Sequence, residues 1–224
     1  MDKIYRYQRY VYDFTRKYYL FGRDRLLEKL PLEKGDCVLE IGCGTARNLI
    51  YLAKTHPGTH LYGLDASAEM LKTARAKLDS LPKYQITLRQ ALAEDLDHQK
   101  TFNLAEPFDY IFFSYSLSMI PTWRDALCAA FANLKSNGSI YIVDFWDQSG
   151  YPVWFQRVLT RWLALFHVRH EPALLHCLQN LQGKGCASLE LEAIGKNYAF
   201  LAELTAIQEN SDISKEIFKE PSAS

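Results

Sequence analysis

No stretch of this 224-residue sequence strings together the ~18 apolar residues a membrane-crossing helix needs, so an integral span is not expected. The opening Met1-Asp2-Lys3 runs into aromatic residues alternating with charged ones, without the apolar core of a secretory signal. Nor is there a C-x-x-C pair. The cysteines, Cys37, Cys43, Cys128, Cys177 and Cys186, are five and scattered, which suits reduced thiols in a cytosol better than a disulfide framework or a structural zinc. An excess of charge of one sign is also missing: 26 basic residues stand against 26 acidic ones, so no global field points to nucleic acid. There is no internal repeat. These absences leave a cytoplasmic protein of one substantial domain.

What is present alternates. Residues 3–30 read as helical with a break near Gly22, forming a cap with eight aromatics between Tyr5 and Phe21. The apolar run Cys37–Ile41 ends in a Gly-rich turn. Thr45 is a plausible N-cap there, and an amphipathic helix follows over Arg47–Lys54. Leu61–Leu64 is a second strand ending at Asp65, and Ser67 is placed to cap a helix running to about Leu78 with Glu69 in its first turn. Ile86–Leu88, Tyr110–Ser114 and Ile140–Phe145 read as further strands, with a helix over Arg124–Leu134 between the last two. This predicts an α/β fold, a mostly parallel sheet covered on both faces. After Asp144 come a helical insert over 146–186 and two last strands, Leu189–Ala193 and Tyr198–Leu204. The tail from 207 to 224 is polar and reads as disordered.

The chemistry-bearing stretch is Val38-Leu39-Glu40-Ile41-Gly42-Cys43-Gly44-Thr45-Ala46-Arg47. Two glycines sit where a strand turns into a helix, letting the backbone approach a ligand and aim N–H groups at its anionic end. Asp65 follows at the end of the next strand, where a carboxylate can accept both hydroxyls of a ribose. A nicotinamide dinucleotide would want G-x-G-x-x-G, but the third position holds the bulky Arg47. Glu40 also suits a ligand bearing an ammonium group better than a diphosphate. The pattern favours S-adenosylmethionine.

E-x-G-x-G followed by L-Y-G-L-D-A-S-A-E-M-L resembles the first motif and ribose acid of the class I methyltransferases, over roughly residues 36–145. The resemblance implies a Rossmann-like, seven-stranded sheet. It also implies that Glu40 and the Gly42–Gly44 loop hold the methionine part, Asp65 the ribose, and Ala66 with Met70 the adenine. Where relatives carry an aspartate after the third strand, this chain has Arg89-Gln90-Ala91, leaving Gln90, Glu94 or Asp95 for that contact. The candidate cofactor site is thus Glu40, Gly42, Cys43, Gly44, Asn48, Asp65, Ala66, Met70, Gln90, Ala91 and Ser114. Relatives often have glycine where Ala46 stands; at a helix start with negative φ, alanine is expected to cost little.

A second resemblance spans nearly residues 2–204. It rests on I-Y-R-Y-Q-R-Y-V-Y-D-F-T-R-K-Y-Y-L-F-G-R-D, F-S-Y-S-L-S-M-I-P-T-W, and V-D-F-W-D-Q with a later F-H-V. These resemble the betaine-lipid N-methyltransferases, which trimethylate diacylglyceryl-homoserine; Trp146 departs from the glycine expected in D-F-G. The resemblance implies a lipid amine acceptor and a protein peripheral to the membrane. In kind, the residues agree. Between Asp147 and Glu171 there is no acid, and Arg157, Arg161 and Arg169 punctuate a run containing Trp154 and Trp162, which reads equally as a membrane-surface helix or a core helix. Residues 1–30 carry eight basic against four acidic side chains, a local charge of +4 that suits an anionic bilayer or a solvated helix face.

Tyr115, directly after the fourth strand, sits where the resemblance to class I methyltransferases puts the acceptor, its ring suited to stabilise the growing ammonium by cation–π attraction, against plain packing. Tyr18 and Tyr19 are candidates to close the site from the cap, and Arg23 or Arg124 to bind an acceptor carboxylate. His167, His170, His176 and Cys177 lack the spacing of a complete ligand set, so no metal is expected. Two competing readings are a class I enzyme acting on a quinone or small amine, and a scaffold that binds the nucleotide without catalysis.

Overall fold

A computed structural model of the chain describes residues 20–152, 172–207 and 210–218. The elements in order are α1 (Arg23–Lys29), β1 (Cys37–Ile41), α2 (Arg47–Thr55), β2 (His60–Asp65), α3 (Ala68–Asp79), β3 (Ile86–Gln90), α4 (His98–Phe102), β4 (Phe108–Ser114), α5 (Trp123–Ala132), β5 (Leu134–Phe145), α6 (Pro172–Gly183), β6 (Ala187–Ile194), β7 (Ala199–Ala206) and α7 (Asn210–Ile217). Short 3₁₀ turns lie at Ala93–Asp95 and Leu117–Met119.

The strands form one seven-stranded sheet in the order β3-β2-β1-β4-β5-β7-β6. All pairs from β3 to β5 are parallel, and β7 inserts antiparallel between β5 and β6. This is the mostly parallel, Rossmann-like architecture the alternation predicts. β1, β4 and most of β5 are buried, as strands covered on both faces must be, which is why they read as unbroken apolar runs. The edge strand β6 instead alternates, with Leu189 inward and Glu190 outward. Glu190 pairs with Lys29 and Glu192 with Arg25, so this edge anchors α1.

Two cores flank the sheet. On one face Trp123, Leu127 and Phe131 of α5 pack with Leu178 and Leu181 of α6 and Ile213 and Ile217 of α7 against Ile111, Phe113 and Ile140. On the other, Leu26 and Leu27 of α1, Leu49 and Leu52 of α2 and Leu71 of α3 cover Val38, Phe112 and Val143. The helix over 210–217 corrects the expectation of a disordered tail. Ile213 and Ile217 lie one turn apart and both are fully buried, so this polar segment earns its order from two side chains.

At its start, α3 follows the sequence reading: Ser67 caps it, its hydroxyl accepting from the Met70 N–H at 3.3 Å. The start of α2 does not. Ala46, not Thr45, is the capping residue, with no side-chain cap bond, and its φ of 59° is left-handed where a negative value was expected. An alanine there costs about 1 kcal/mol or more in backbone strain, which the fully buried position of Ala46 must offset. Of the cap over 1–30, residues 20–30 are described; residues 1–19, with Tyr18 and Tyr19, lie outside the described residues. So do Trp154, Arg157, Arg161, Trp162, His167, Arg169 and His170 of the insert.

Candidate cofactor and acceptor site

β1 and β2 run side by side with Glu40 opposite Gly63 and Ile41 opposite Leu64, so their carboxyl ends bring Glu40, the Gly42–Gly44 loop and Asp65 together. Gly42, at φ 77°, and Gly44, at φ 53°, both take conformations that suit glycine. At Gly42 there is also no room: a Cβ would lie 2.5 Å from Ser116 Cβ. Ser116, just after β4, in turn donates its hydroxyl to the Ile41 carbonyl at 2.8 Å. The sequence reading did not pick out Ser116, because its role comes from a neighbouring strand.

The loop amides differ from expectation. The N–H groups of Gly42 and Cys43 donate to the Leu64 carbonyl at 2.8 and 3.1 Å, and that of Gly44 donates to Asp65 Oδ2 at 2.7 Å. They knit the loop onto β2 in place of aiming at a ligand anion. Close backbone approach, not a row of free amides, is what the glycines supply. Asp65 Oδ1 also accepts from the Ser67 N–H at 2.8 Å, which fixes the carboxylate at the rim in a half-buried position. Carboxylate oxygens accept more than one bond each, so Asp65 retains capacity for ribose hydroxyls.

Glu40 is buried, and its Oε1 accepts from Asn48 Nδ2 at 2.6 Å, tying the first turn of α2 to the end of β1. Arg47 Nη1 donates to Asn48 Oδ1 at 3.2 Å and pairs with Asp24 of α1 at 2.5 Å, so the residue that breaks the dinucleotide pattern links this loop to the cap. The Cys43 side chain is buried, lying where a Cβ on Gly63 would reach it at 2.8 Å. Burial, then the charges of Glu40 and Asp65, push its thiol pKa well above the usual range. Only the backbone of Cys43 is available to a ligand. Both acids therefore bear on one loop, as a cationic, ribose-bearing ligand requires.

On the adenine side, Gln90 donates to the Ala66 carbonyl at 3.2 Å and the Ala91 N–H donates to the Asp65 carbonyl at 3.3 Å, bringing three predicted residues into one rim. Met70, in the first turn of α3, is buried, and Leu92 stands half exposed beside Gln90 and Ala91. Glu94 is engaged elsewhere, accepting from the Thr122 hydroxyl at 2.9 Å. Ser114 is buried at the end of β4, its hydroxyl without a partner among the described residues, so a polar ligand group reaching this strand end would find a donor. The donor set fits S-adenosylmethionine: an acid for its ammonium, an acid for its ribose, and a loop that tolerates close approach.

Tyr115 corrects the sequence reading. It is 1% exposed, in a left-handed conformation with φ 55°, and its hydroxyl donates to the Phe21 carbonyl. Its ring lies 4.7 Å from Phe145, and Phe145 and Phe21 each meet Tyr198 edge-on. Burial, with smaller contributions from Tyr198 and Asp144, raises its pKa well above normal. Tyr115 pins the cap to the sheet; it is neither a base nor a free acceptor contact. Arg124 is likewise committed: it stacks on Trp123 at 4.2 Å and donates to the Ile217 carbonyl, holding α7 to α5. Asp144, at the end of β5, was not picked out as a site residue although it closes an apolar run as Asp65 does; it is fully buried.

A cleft of about 470 Å³ lined by Glu106, Asp109, Tyr110, Lys135 and Asn137 sits at the amino ends of β4 and β5, the opposite end of the strands from this loop. Its charges are already used, Asp109 accepting from the Cys37 N–H and pairing with Lys135. Among the described residues no group of three or more His, Cys, Asp or Glu could hold a metal ion, and no helix is long and apolar enough to cross a membrane.

Residues 39–140 match the family described as "Methyltransferase domain". Over 141 residues the chain is 28% identical to the demethylmenaquinone methyltransferase of Listeria welshimeri, covering 62% of this chain and 57% of that one. Of the first two curated relatives it matches, the chain spans 32% and 57% of their length. A S-adenosylmethionine-dependent methyltransferase from Aquifex aeolicus superposes with a TM-score of 0.60 at 19% identity, over 86% of this chain and 93% of that one. Phosphoethanolamine N-methyltransferase 2 of Haemonchus contortus, solved with S-adenosylhomocysteine, gives 0.62 at 19% identity over 77% and 38%. The sheet has the fold of these methyltransferases, and residues 39–140 carry the match to the methyltransferase domain.

Proposed function

We propose that the protein transfers the methyl group of S-adenosylmethionine to the amine of a membrane lipid, diacylglyceryl-homoserine, and reaches it as a peripheral protein at the cytoplasmic face. The observation that carries the transfer is the meeting of Glu40 and Asp65 at the two ends of the Gly42–Gly44 loop. When bound, the cofactor supplies an electrophilic methyl for in-line displacement by an amine. The work left to the chain is alignment and exclusion of water. Asp65 takes the ribose hydroxyls, Glu40 with Asn48 takes the ammonium, and Ser114 offers its hydroxyl at the strand end. An amine of pKa ~10 must lose a proton first, at about 4 kcal/mol at pH 7. Tyr115 does not perform that step, because its own proton is held too tightly.

The lipid acceptor is supported by the resemblance to betaine-lipid N-methyltransferases, which extends well beyond the methyltransferase core, and by the acid-free, arginine- and tryptophan-bearing stretch between Asp147 and Glu171. An acceptor with two acyl chains stays in its bilayer, at ~0.8 kcal/mol per CH₂ withdrawn, so the enzyme must come to it. A second reading, a quinone acceptor, is favoured by the demethylmenaquinone methyltransferases among the relatives. Mass spectrometry of products formed from methyl-labelled S-adenosylmethionine, with diacylglyceryl-homoserine vesicles and with a demethylated quinone in separate reactions, distinguishes the two. Label in the quinone alone removes the lipid-amine reading. Liposome flotation tests the peripheral association, which should weaken with salt and in a Trp154→Ala, Trp162→Ala double variant.

A further inference from the structure

Asp144, next to last in β5, is fully buried, and the groups that bond its carboxylate among the described residues are donors. Its Oδ2 accepts from the Ser118 N–H at 2.9 Å and its Oδ1 from the Phe145 N–H at 2.8 Å, and the Leu117 N–H also favours its charge. Leu117 and Ser118 belong to the turn after β4. One residue before them, Ser116 donates to the Ile41 carbonyl and occupies the space next to Gly42 that a Cβ would need. Tyr115, before that, donates its N–H to the Val143 carbonyl at 2.8 Å, so β5 grips this turn at two adjacent residues.

We propose that Asp144, in its ionised form, is a positioning residue: by holding the 115–119 turn it seats Ser116 under Gly42 and keeps the cofactor loop in its binding shape. The reason for the ionised form is the donor-only surround. A carboxylate can accept from all of these groups, whereas a protonated carboxyl must set its O–H against one donor and forfeit that bond. The groups that compete are equally plain. Burial pushes the Asp144 pKa up to about 6, opposed by its bonds from Ser118, Phe145 and Leu117. Among the described residues, Tyr115 of the turn itself is the ionisable group coupled to this carboxylate, and Tyr198 and Arg23 of α1 act on Tyr115 in turn. Cofactor binding therefore responds to pH within the range a cell can reach.

The inference rests on the Gly42–Gly44 loop being the S-adenosylmethionine site, and the test separates the two. Calorimetric titration with S-adenosylhomocysteine from pH 5 to 8 should give the wild type constant affinity above about pH 7 and roughly tenfold weaker affinity near pH 5, the loss of about one charged hydrogen bond. Ser116→Ala cuts the turn from the Ile41 carbonyl, so it should bind about tenfold more weakly at pH 7.5. Asp144→Asn should bind about tenfold more weakly at pH 7.5 and show no step. Other carboxylates line this site, so a step that persists unchanged in Asp144→Asn belongs to them and overturns the proposal. A pH-independent wild type overturns it too. If Asp144→Asn does not fold, Ser116→Ala decides, and wild-type affinity in that variant is fatal. A wild type that binds no S-adenosylhomocysteine at any pH overturns the cofactor reading instead.

Discussion

Gly42→Ala is the sharpest probe of how the cofactor loop is built. The new methyl would lie 2.5 Å from Ser116 Cβ, about 1 Å inside ordinary contact, on a backbone whose φ is 77°. Left-handed strain for an alanine costs about 1–2 kcal/mol, and overpacking of this kind about 1–3 kcal/mol. Ser116 cannot step aside freely, because its hydroxyl is bonded to the Ile41 carbonyl. The combined penalty is on the order of 2–5 kcal/mol and must appear either as lost stability or as a displaced loop. For a domain of this size that means a Tm lower by about 5–15 °C, or S-adenosylhomocysteine affinity reduced by about 30-fold or more. Differential scanning fluorimetry and calorimetric titration read the two outcomes together. The double variant Gly42→Ala, Ser116→Gly keeps the strain and relieves the overlap, so it should recover the larger part of the loss. If it recovers nothing, or if Gly42→Ala alone is neutral in both assays, the contact between the two loops is not what demands glycine.

Further expectations follow from the same geometry. Asp65→Ala removes the acceptor of the Gly44 and Ser67 N–H groups as well as the proposed ribose acid, so S-adenosylhomocysteine affinity should fall about 10- to 100-fold by calorimetry; unchanged affinity refutes the site. Tyr115→Phe should destabilise by about 1 kcal/mol in urea unfolding through loss of its bond to the Phe21 carbonyl, with cofactor affinity little changed. Asp144, whose pKa is raised to about 6 from 3.8, prefers its proton when folded, so its contribution to stability is full below about pH 4 and is lost as pH rises through 6, about 3 kcal/mol in all. Chemical denaturation of wild type against Asp144→Asn across that window should show the difference in slope; parallel curves refute it. Truncation after Ile207 removes the buried Ile213 and Ile217 and should cost several kcal/mol, seen as a lowered Tm.

How much of this was legible before folding differs by residue. Cys37–Ile41, Tyr110–Ser114 and Ile140–Phe145 announced themselves as strands because a sheet covered on both faces demands unbroken apolar runs, and Glu40, Gly42, Gly44 and Asp65 declared a ligand because acids and glycines have no packing reason to end such runs. The fold class and the cofactor are local information: each strand, turn and helix start is a few residues long. The buried pair in α7 was hidden by its polar neighbours, since two isoleucines at helical spacing matter only once α5 and α6 present a surface for them. Ala46 was misread because its left-handed φ is imposed by how α2 packs, not by the residue's own preference. The loop amides, Ser116, Tyr115 and Asp144 depended on pairing between strands far apart in the chain, β1 with β2 and β4 with β5. By itself, then, the sequence determined the kind of sheet and marked the candidate residues for S-adenosylmethionine on it. Only the tertiary structure decided which donors face which acceptors there, because a hydrogen bond at about 3 Å is a property of two backbones brought together and neither strand carries it alone.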